Sequence, residues 1–225
     1  MTVTKDWNPK QKELNMLLSK ENSFKEGISL CLTMHNELHD FKKTHKQTIY
    51  QSLIENLLQE TAVWRPENKF SSIAWNIYHI TRIEDAVTTL LIEGGKQTYT
   101  KTWQKKLGIS FTDTGNAWTE EELVLFNKDI NLKALLEYRK DTGSRTQKIL
   151  QSLDPSSIKR KPDTLQVKKI LSEGVVTAHT DSIWLMDFWG NKTFSGLLSM
   201  PITRHQIVHI NDSFTLKEKW KKRKV

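Results

Sequence analysis

The chain has 225 residues, of which 37% are hydrophobic and 27% are charged, an ordinary composition for a soluble protein with a sizeable core. Its single cysteine, Cys31, excludes an intramolecular disulfide and fits a reducing compartment. No apolar run reaches the roughly 18 residues that span a bilayer, and the first residues lack the apolar segment of a signal peptide. We therefore expect a cytoplasmic protein with no membrane partner.

The net charge of +8 is concentrated at the end of the chain. Residues 217–225 contain six Lys or Arg and one Glu, which account for +5 of the total. Short basic tails are usually solvated, and no nucleic-acid-binding module accompanies this one. We therefore expect one domain over residues 1–225, with a core at about 23–217, a disordered tail at 218–225 and no nucleic-acid partner. Nucleic-acid binding through the tail is the alternative, and it would weaken steeply with salt.

Apolar residues recur mostly at spacings of three and four, and glycine and proline are scarce, which predicts an all-α fold. Four long amphipathic helices predict a four-helix bundle with additional short helices in the long connections. The long helices are predicted at about 23–43, 72–92, 132–153 and 201–217, and the short ones near 103, 120, 164–172 and 177–189. On the second long helix, periodicity predicts a solvent-facing side made of Tyr78, Thr81, Arg82, Asp85 and Thr88.

Three histidines carry the clearest functional signal. His205 and His209 are four residues apart, so on a helix both lie on one face, about 5–6 Å apart at Cβ. Periodicity places both on the apolar side of the last helix, and it places His79 on the apolar side of the second, beside Asn76. Core packing and metal binding are both open for each histidine taken alone. Three neutral imidazoles together suit zinc, nickel, iron or copper better than magnesium or calcium.

A second pair with the same spacing, His35 and His39, lies at the edge of the apolar arc of the first long helix. Periodicity allows three interpretations: metal ligands, boundary residues, or groups that line the same cavity as the first three histidines. Glu84 falls within the apolar arc of its helix, where it is either a boundary ion pair or a carboxylate that orients a ligand imidazole. These three residues are the candidates for a catalytic base.

Three short segments occur in a set order: Trp64-Arg65-Pro66, then residues 72–80 with His79, then residues 201–209 with the H-x3-H pair. In this order the sequence resembles the DinB family of four-helix bundles. The resemblance implies that His79, His205 and His209 bind one divalent metal, with water at its remaining positions, and that the protein forms homodimers. Members with assigned roles resemble thiol-dependent S-transferases and metal-dependent hydrolases. The long segments between the second and last helices leave the substrate open.

The leading hypothesis is therefore a metal-dependent enzyme, with zinc or nickel preferred, that activates water or a low-molecular-weight thiol. Thiolate attack on an electrophile gives S-transfer, and hydroxide attack gives hydrolysis. The alternative is a non-catalytic, metal-stabilised bundle that binds a small ligand or a partner protein. Trp184, Phe188 and Trp189 are either core residues or the roof of the site. An open, aromatic-lined cavity at the metal would favour the enzyme, and a filled site would favour the structural role. Cys31 is predicted to be a core residue rather than a nucleophile.

Overall fold

The computed structural model describes residues 4–41, 46–67 and 69–223, and the regular structure within them is helical, with no strand. The predicted all-α class is confirmed. No helix in these ranges combines the length and the apolar character needed to cross a membrane. In chain order the helices are α1 (Thr4–Leu17), α2 (Phe24–Glu37), α3 (Ile49–Ile54), α4 (Gln59–Val63), α5 (Ile73–Ala86), α6 (Lys101–Leu107), α7 (Glu120–Asp129), α8 (Leu132–Ser152), α9 (Thr164–Ser172), α10 (Thr180–Gly190), α11 (Phe194–Ser199) and α12 (His205–Arg223).

The four long helices of the bundle are α2, α5, α8 and α12. Helix α5 lies at the centre, where it packs against both α8 and α12, and α2 packs against α8. A π-helical turn at Val87–Ile92 continues α5, and another at Met200–Arg204 leads into α12. Such turns hold one extra residue, so they change which side chains face a neighbouring helix, and they are frequent at functional sites.

Several predicted helix ends are confirmed by their local hydrogen bonds. The Ser72 side chain accepts from the backbone N–H of Trp75 and so begins α5. After the π-helical turn, Gly94 adopts a left-handed φ of 76°, a conformation that glycine takes without strain. A reciprocal capping box between Thr119 and Glu122 begins α7. Each of these features acts within one helical turn, so the helix ends near residues 72, 92 and 120 could be predicted from the sequence.

Helix α1 was not predicted. Most of its residues are polar and it carries Pro9, so its only strong signal is a sparse set of apolar residues. Trp7 and Leu14 are seven residues apart and therefore lie on one face, and both are buried. The helix packs against α2 and α11, so it covers one side of the bundle.

The predicted disordered tail needs correction. Helix α12 continues to Arg223, so residues 218–223 are helical, and residues 224–225 lie outside the described part of the chain. Lys217 Nζ donates to the carbonyl oxygens of Leu53 and Glu55, at 2.6 and 2.7 Å, where α3 ends. Trp220 packs against Trp64, with 5.4 Å between the ring centroids. These anchors extend the helix although its other side chains from 218 to 223 are charged and exposed.

The predicted solvent-facing side of α5 is wrong, because all fourteen residues from Ile73 to Ala86 are buried. The connection between α5 and α7 crosses this side and supplies backbone partners to the polar side chains. Arg82 donates to the carbonyl oxygen of Thr112 through Nε and Nη2, at 3.0 and 2.7 Å. Asp85 accepts from two backbone N–H groups of the same connection. Polar residues on a helix can therefore face a loop as well as water, and periodicity does not separate the two cases.

Candidate metal centre

Helix α5 presents the imidazole of His79, which two neighbours hold in place. Its Nδ1 donates to the carbonyl oxygen of Thr114 at 2.6 Å, so this nitrogen carries the proton and Nε2 keeps its lone pair. The indole of Trp75, one turn earlier, stacks on the ring with 4.6 Å between centroids and 11° between planes. Gly115 follows Thr114 with a φ of 78°. A Cβ there would lie 2.8 Å from Trp75 Nε1, so only glycine lets this loop approach.

Helix α12 presents His205 and His209, one turn apart, toward His79. The His209 Nδ1 donates to Asn76 Oδ1 at 2.9 Å, which again leaves Nε2 with its lone pair. The amide of Asn76 is itself held, because its Nδ2 donates to Asp212 and to Ser213. The backbone carbonyl and the amide thus play the part of the outer partners that orient metal-ligating histidines. The Nδ1 of His205 is buried and has no hydrogen-bond partner.

The three rings form a nearly equilateral triangle, with centroids separated by 5.1, 4.7 and 4.6 Å. One nitrogen from each ring lies within 4.8 Å of the other two. Burial, and to a lesser extent the neighbouring histidines, lowers the pKa of His79, His205 and His209 to about 3. All three are therefore neutral near pH 7, the state in which an imidazole ligates a metal.

A cavity of about 360 Å³ opens onto the three histidines. It is lined mainly by aromatic and aliphatic side chains, among them Phe70, Trp184, Phe188 and Trp189, and the described residues of its lining include no Asp, Glu, Lys or Arg. Trp184 is 47% exposed and Phe70 is 40% exposed, so aromatic surface reaches the solvent. We call this space the histidine cavity. The residues Trp184, Phe188 and Trp189 of α10, predicted as either core or roof, line it.

The other candidate residues form a separate, fully buried cluster. Glu84 Oε1 accepts from His35 Nε2 at 2.7 Å, and Glu84 Oε2 accepts from His39 Nε2 at 3.0 Å. Gln206 Nε2 donates to the same carboxylate at 2.7 Å, and Arg139 Nη1 lies 3.7 Å from it. None of the three predicted catalytic bases, Glu84, His35 and His39, lines the histidine cavity. The structure does not bring them to the cavity wall, because Glu84 points to α2 and its carboxylate engages both imidazoles, so a role as catalytic base stays a prediction.

The buried cluster also brings three ligand-type atoms within 4.8 Å, yet its contacts suit a hydrogen-bond network better than a metal. Burial alone would raise the pKa of Glu84, but the electrostatic attraction and hydrogen bonds of His39 and His35 outweigh it and hold that pKa well below its usual range. Burial lowers the pKa of His39 to about 3. An ionised carboxylate therefore accepts hydrogen bonds from both imidazoles, with the Arg139 guanidinium as counter-ion, and a dication would be repelled by that guanidinium.

Sequence reasoning missed the residues that orient the two clusters. Asn76 offered a signal, since an amide on the apolar face three residues before His79 needs a partner. Gln206 offered the same signal on α12. Thr114 acts through its backbone carbonyl, so no side-chain pattern could have identified it.

A family model described as the DinB superfamily matches residues 44–178, which is more than half of the chain. The matched segment contains His79 and Glu84 and ends before His205 and His209. No curated protein matches the chain.

Proposed function

Because this chain belongs to the DinB superfamily, we propose that His79, His205 and His209 hold one divalent metal ion, zinc or nickel, in an enzyme that acts on a small molecule. The observation that carries the proposal is the convergence of three neutral imidazoles on the wall of an open, aromatic cavity. When bound, such a metal supplies Lewis-acid chemistry and lowers the pKa of a thiol or water in contact with it. The open cavity supports the enzyme over the structural role.

The lining of the histidine cavity favours a thiol over water as the nucleophile. Within the described part of the chain no carboxylate or amine lines it, so the three histidines are the only side chains there that could accept a proton. A free thiol has a pKa of about 8.5 and bulk water one of about 15.7, so a thiol needs a far smaller shift to ionise at neutral pH. In S-transfer the thiol proton goes to solvent, sulfur bonds to the electrophilic carbon and the leaving group departs. Hydrolysis is the second candidate.

The same lining supports an uncharged, apolar electrophile as the substrate. A charged group would lose its hydration in this cavity without meeting an opposite charge, which costs several kcal/mol. Flat apolar molecules would stack on the exposed indole of Trp184 and on Phe188, whose rings meet edge to face at 5.3 Å. These aromatic side chains hold and orient the electrophile, and they keep water away from it.

The proposal is tested with protein loaded with zinc or nickel. The thiol arm combines dithiothreitol with the neutral chromogenic electrophile 1-chloro-2,4-dinitrobenzene, and the hydrolysis arm uses 4-nitrophenyl acetate. We expect thiol-dependent turnover that the His205→Ala variant loses. His179→Ala is the matched control, since His179 is an exposed histidine outside the cavity, and it should retain full activity. Equal rates in wild type and His205→Ala, in both arms, would contradict the proposal.

A homodimer, a cytoplasmic location and the lack of a nucleic-acid partner stay predictions. Light scattering coupled to gel filtration tests the dimer, which should have twice the 26.3 kDa mass of the chain.

A further inference from the structure

A second cavity of about 360 Å³ lies between α3 and α8, and it shares no lining residue with the histidine cavity. We call it the α3–α8 cavity. Its apolar walls come from Ile54, Leu57, Leu132 and Leu136. Two buried polar side chains, Tyr50 of α3 and Arg139 of α8, complete the lining at its inner end together with His39.

Tyr50 differs from the other three tyrosines of the chain. Its hydroxyl is buried without any hydrogen-bond partner. The hydroxyls of Tyr78, Tyr99 and Tyr138 each donate to a carbonyl or carboxylate oxygen, at 3.0, 2.6 and 2.7 Å. A buried hydroxyl without a partner loses its hydration and gains nothing in return, so it needs an explanation. Tyr50 is therefore the only one of the four tyrosines whose hydroxyl has no partner among the described residues, and it is also the one that lines the α3–α8 cavity.

Arg139 differs in the same way from Arg82, the other fully buried arginine. Arg82 uses Nε and both terminal nitrogens as donors. Arg139 uses only its terminal nitrogens, toward Thr81, the carbonyl oxygen of Leu38 and Gln206, whereas its Nε has no partner. Its guanidinium carbon lies 4.8 Å from the ring centroid of Tyr50. Two unused donors therefore belong to adjacent side chains in the wall of one cavity.

We propose that the α3–α8 cavity binds a small molecule with an apolar body and a hydrogen-bond-accepting oxygen, which accepts from Tyr50 and Arg139. A bound oxygen would give both donors the partner that the protein does not supply. The apolar body would contact the leucine and isoleucine walls.

The charges around the α3–α8 cavity favour an uncharged oxygen, such as an amide or ketone carbonyl, over a carboxylate. The Arg139 guanidinium is offset by Glu84, 3.7 Å away. Among the remaining lining residues, two lysines, Lys133 and Lys140, are balanced by two acids, Asp40 and Glu137. A carboxylate would therefore lose hydration without meeting a net positive charge.

The test uses hexanamide as the uncharged probe and hexanoate as the charged one, titrated calorimetrically into the full chain. We expect saturable binding of hexanamide, with hexanoate weaker. Tyr50→Phe should weaken hexanamide binding about tenfold, the usual effect of one lost hydrogen bond. Tyr99→Phe is the matched control, since its hydroxyl donates to Phe111 outside this cavity, and it should bind hexanamide as the wild type does. Tyr50→Phe removes a hydroxyl that has no partner, so we expect it to fold normally.

A second variant, Leu136→Trp, fills the cavity from its partly exposed wall and should abolish hexanamide binding without changing metal content. Failure of wild type to bind hexanamide, or equal affinity in wild type and Tyr50→Phe, would overturn the proposal. Tighter binding of hexanoate would overturn the uncharged head group. Because the two cavities share no residue, these results are independent of the metal centre.

Discussion

The two clusters each contain an H-x3-H pair, and they differ in what the imidazole nitrogens of that pair face. In the candidate metal centre, His79 and His209 donate from Nδ1 to neutral oxygens, so their Nε2 lone pairs are free beside an open cavity. In the buried cluster, His35 and His39 donate from Nε2 to Glu84, within a fully buried setting.

The H-x3-H spacing therefore identifies two histidines on one face of a helix, but it does not show whether they bind a metal or form hydrogen bonds. The partner on the facing helix decides between ligation and hydrogen bonding. A neutral amide or carbonyl leaves an imidazole with a free lone pair and a neutral charge, which suits a cation. A carboxylate with an arginine counter-ion instead produces a buried hydrogen-bond network that links α2 to α5 and α8.

The largest expected effect is loss of stability on acidification of the metal-free protein. The pKa values of His79, His205, His209 and His39 are lowered to about 3 in the folded state, against about 6.5 when unfolded. The unfolded chain therefore binds more protons between these values. Stability is complete above about pH 6.5 and falls as the pH drops, by up to about 1.4 kcal/mol per unit for each histidine.

Urea unfolding at pH 7.5, 6 and 5 measures this loss. Zinc should shift the loss to lower pH, because the metal competes with protons for the metal centre. Stability that stays constant from pH 7.5 to pH 5 would contradict the neutral state of these histidines.

The next largest effect is expected in the buried cluster, where a substitution should lower folding stability. Glu84→Ala should lower the free energy of unfolding by about 3–5 kcal/mol, because it leaves the buried Arg139 without its counter-ion and the imidazole N–H groups without their acceptor. The metal centre should stay intact in the fraction that is folded. Chemical denaturation without zinc measures the free energy of unfolding, and the stabilisation that zinc adds shows whether the site still binds metal. If Glu84→Ala left stability unchanged, the buried network would have no structural role.

A pair of amide variants sharpens the comparison. Asn76→Ala removes the acceptor of His209 and should weaken metal binding about 10–100-fold. Gln206→Ala removes a donor to Glu84 and should lower folding stability by about 1–3 kcal/mol, with metal affinity retained. Competition titrations with a chromophoric chelator give the metal affinities. Equal losses of metal affinity in the two variants would show that the clusters are not separate.

The smallest effect concerns the loop that holds His79. Gly115→Ala forces a non-glycine residue into a φ of 78° and brings its Cβ within 2.8 Å of Trp75 Nε1. We expect a loss of about 1–2 kcal/mol of stability from the backbone alone. Thermal unfolding measures this loss, with Gly196→Ala as the control, since Gly196 has no left-handed φ and its nearest atom to a Cβ would be 3.3 Å away. An unchanged midpoint for Gly115→Ala would argue against the close approach of the loop.

Amphipathic periodicity predicted the bundle and placed His79, His205 and His209 on apolar helix faces, because that pattern acts over one or two helical turns. Their grouping into one site was implied by the family resemblance. Periodicity wrongly gave α5 a solvent-facing side, since Arg82 and Asp85 are buried by a loop whose path depends on tertiary contacts. Sequence reasoning named Glu84 as a candidate catalytic base, whereas the carboxylate points to α2 and not into the histidine cavity. Rotation of a central helix relative to all its neighbours lies beyond periodicity, because every face of α5 is buried.

Metal stoichiometry separates the two clusters, because we expect one to bind a metal ion and the other to stabilise the fold. Elemental analysis of freshly purified wild type, His205→Ala and Glu84→Gln would count the metal ions per chain. We expect one zinc or nickel ion per chain in wild type, its loss in His205→Ala, and its retention in folded Glu84→Gln. The absence of stoichiometric metal in wild type, or a metal lost from Glu84→Gln and kept by His205→Ala, would contradict it.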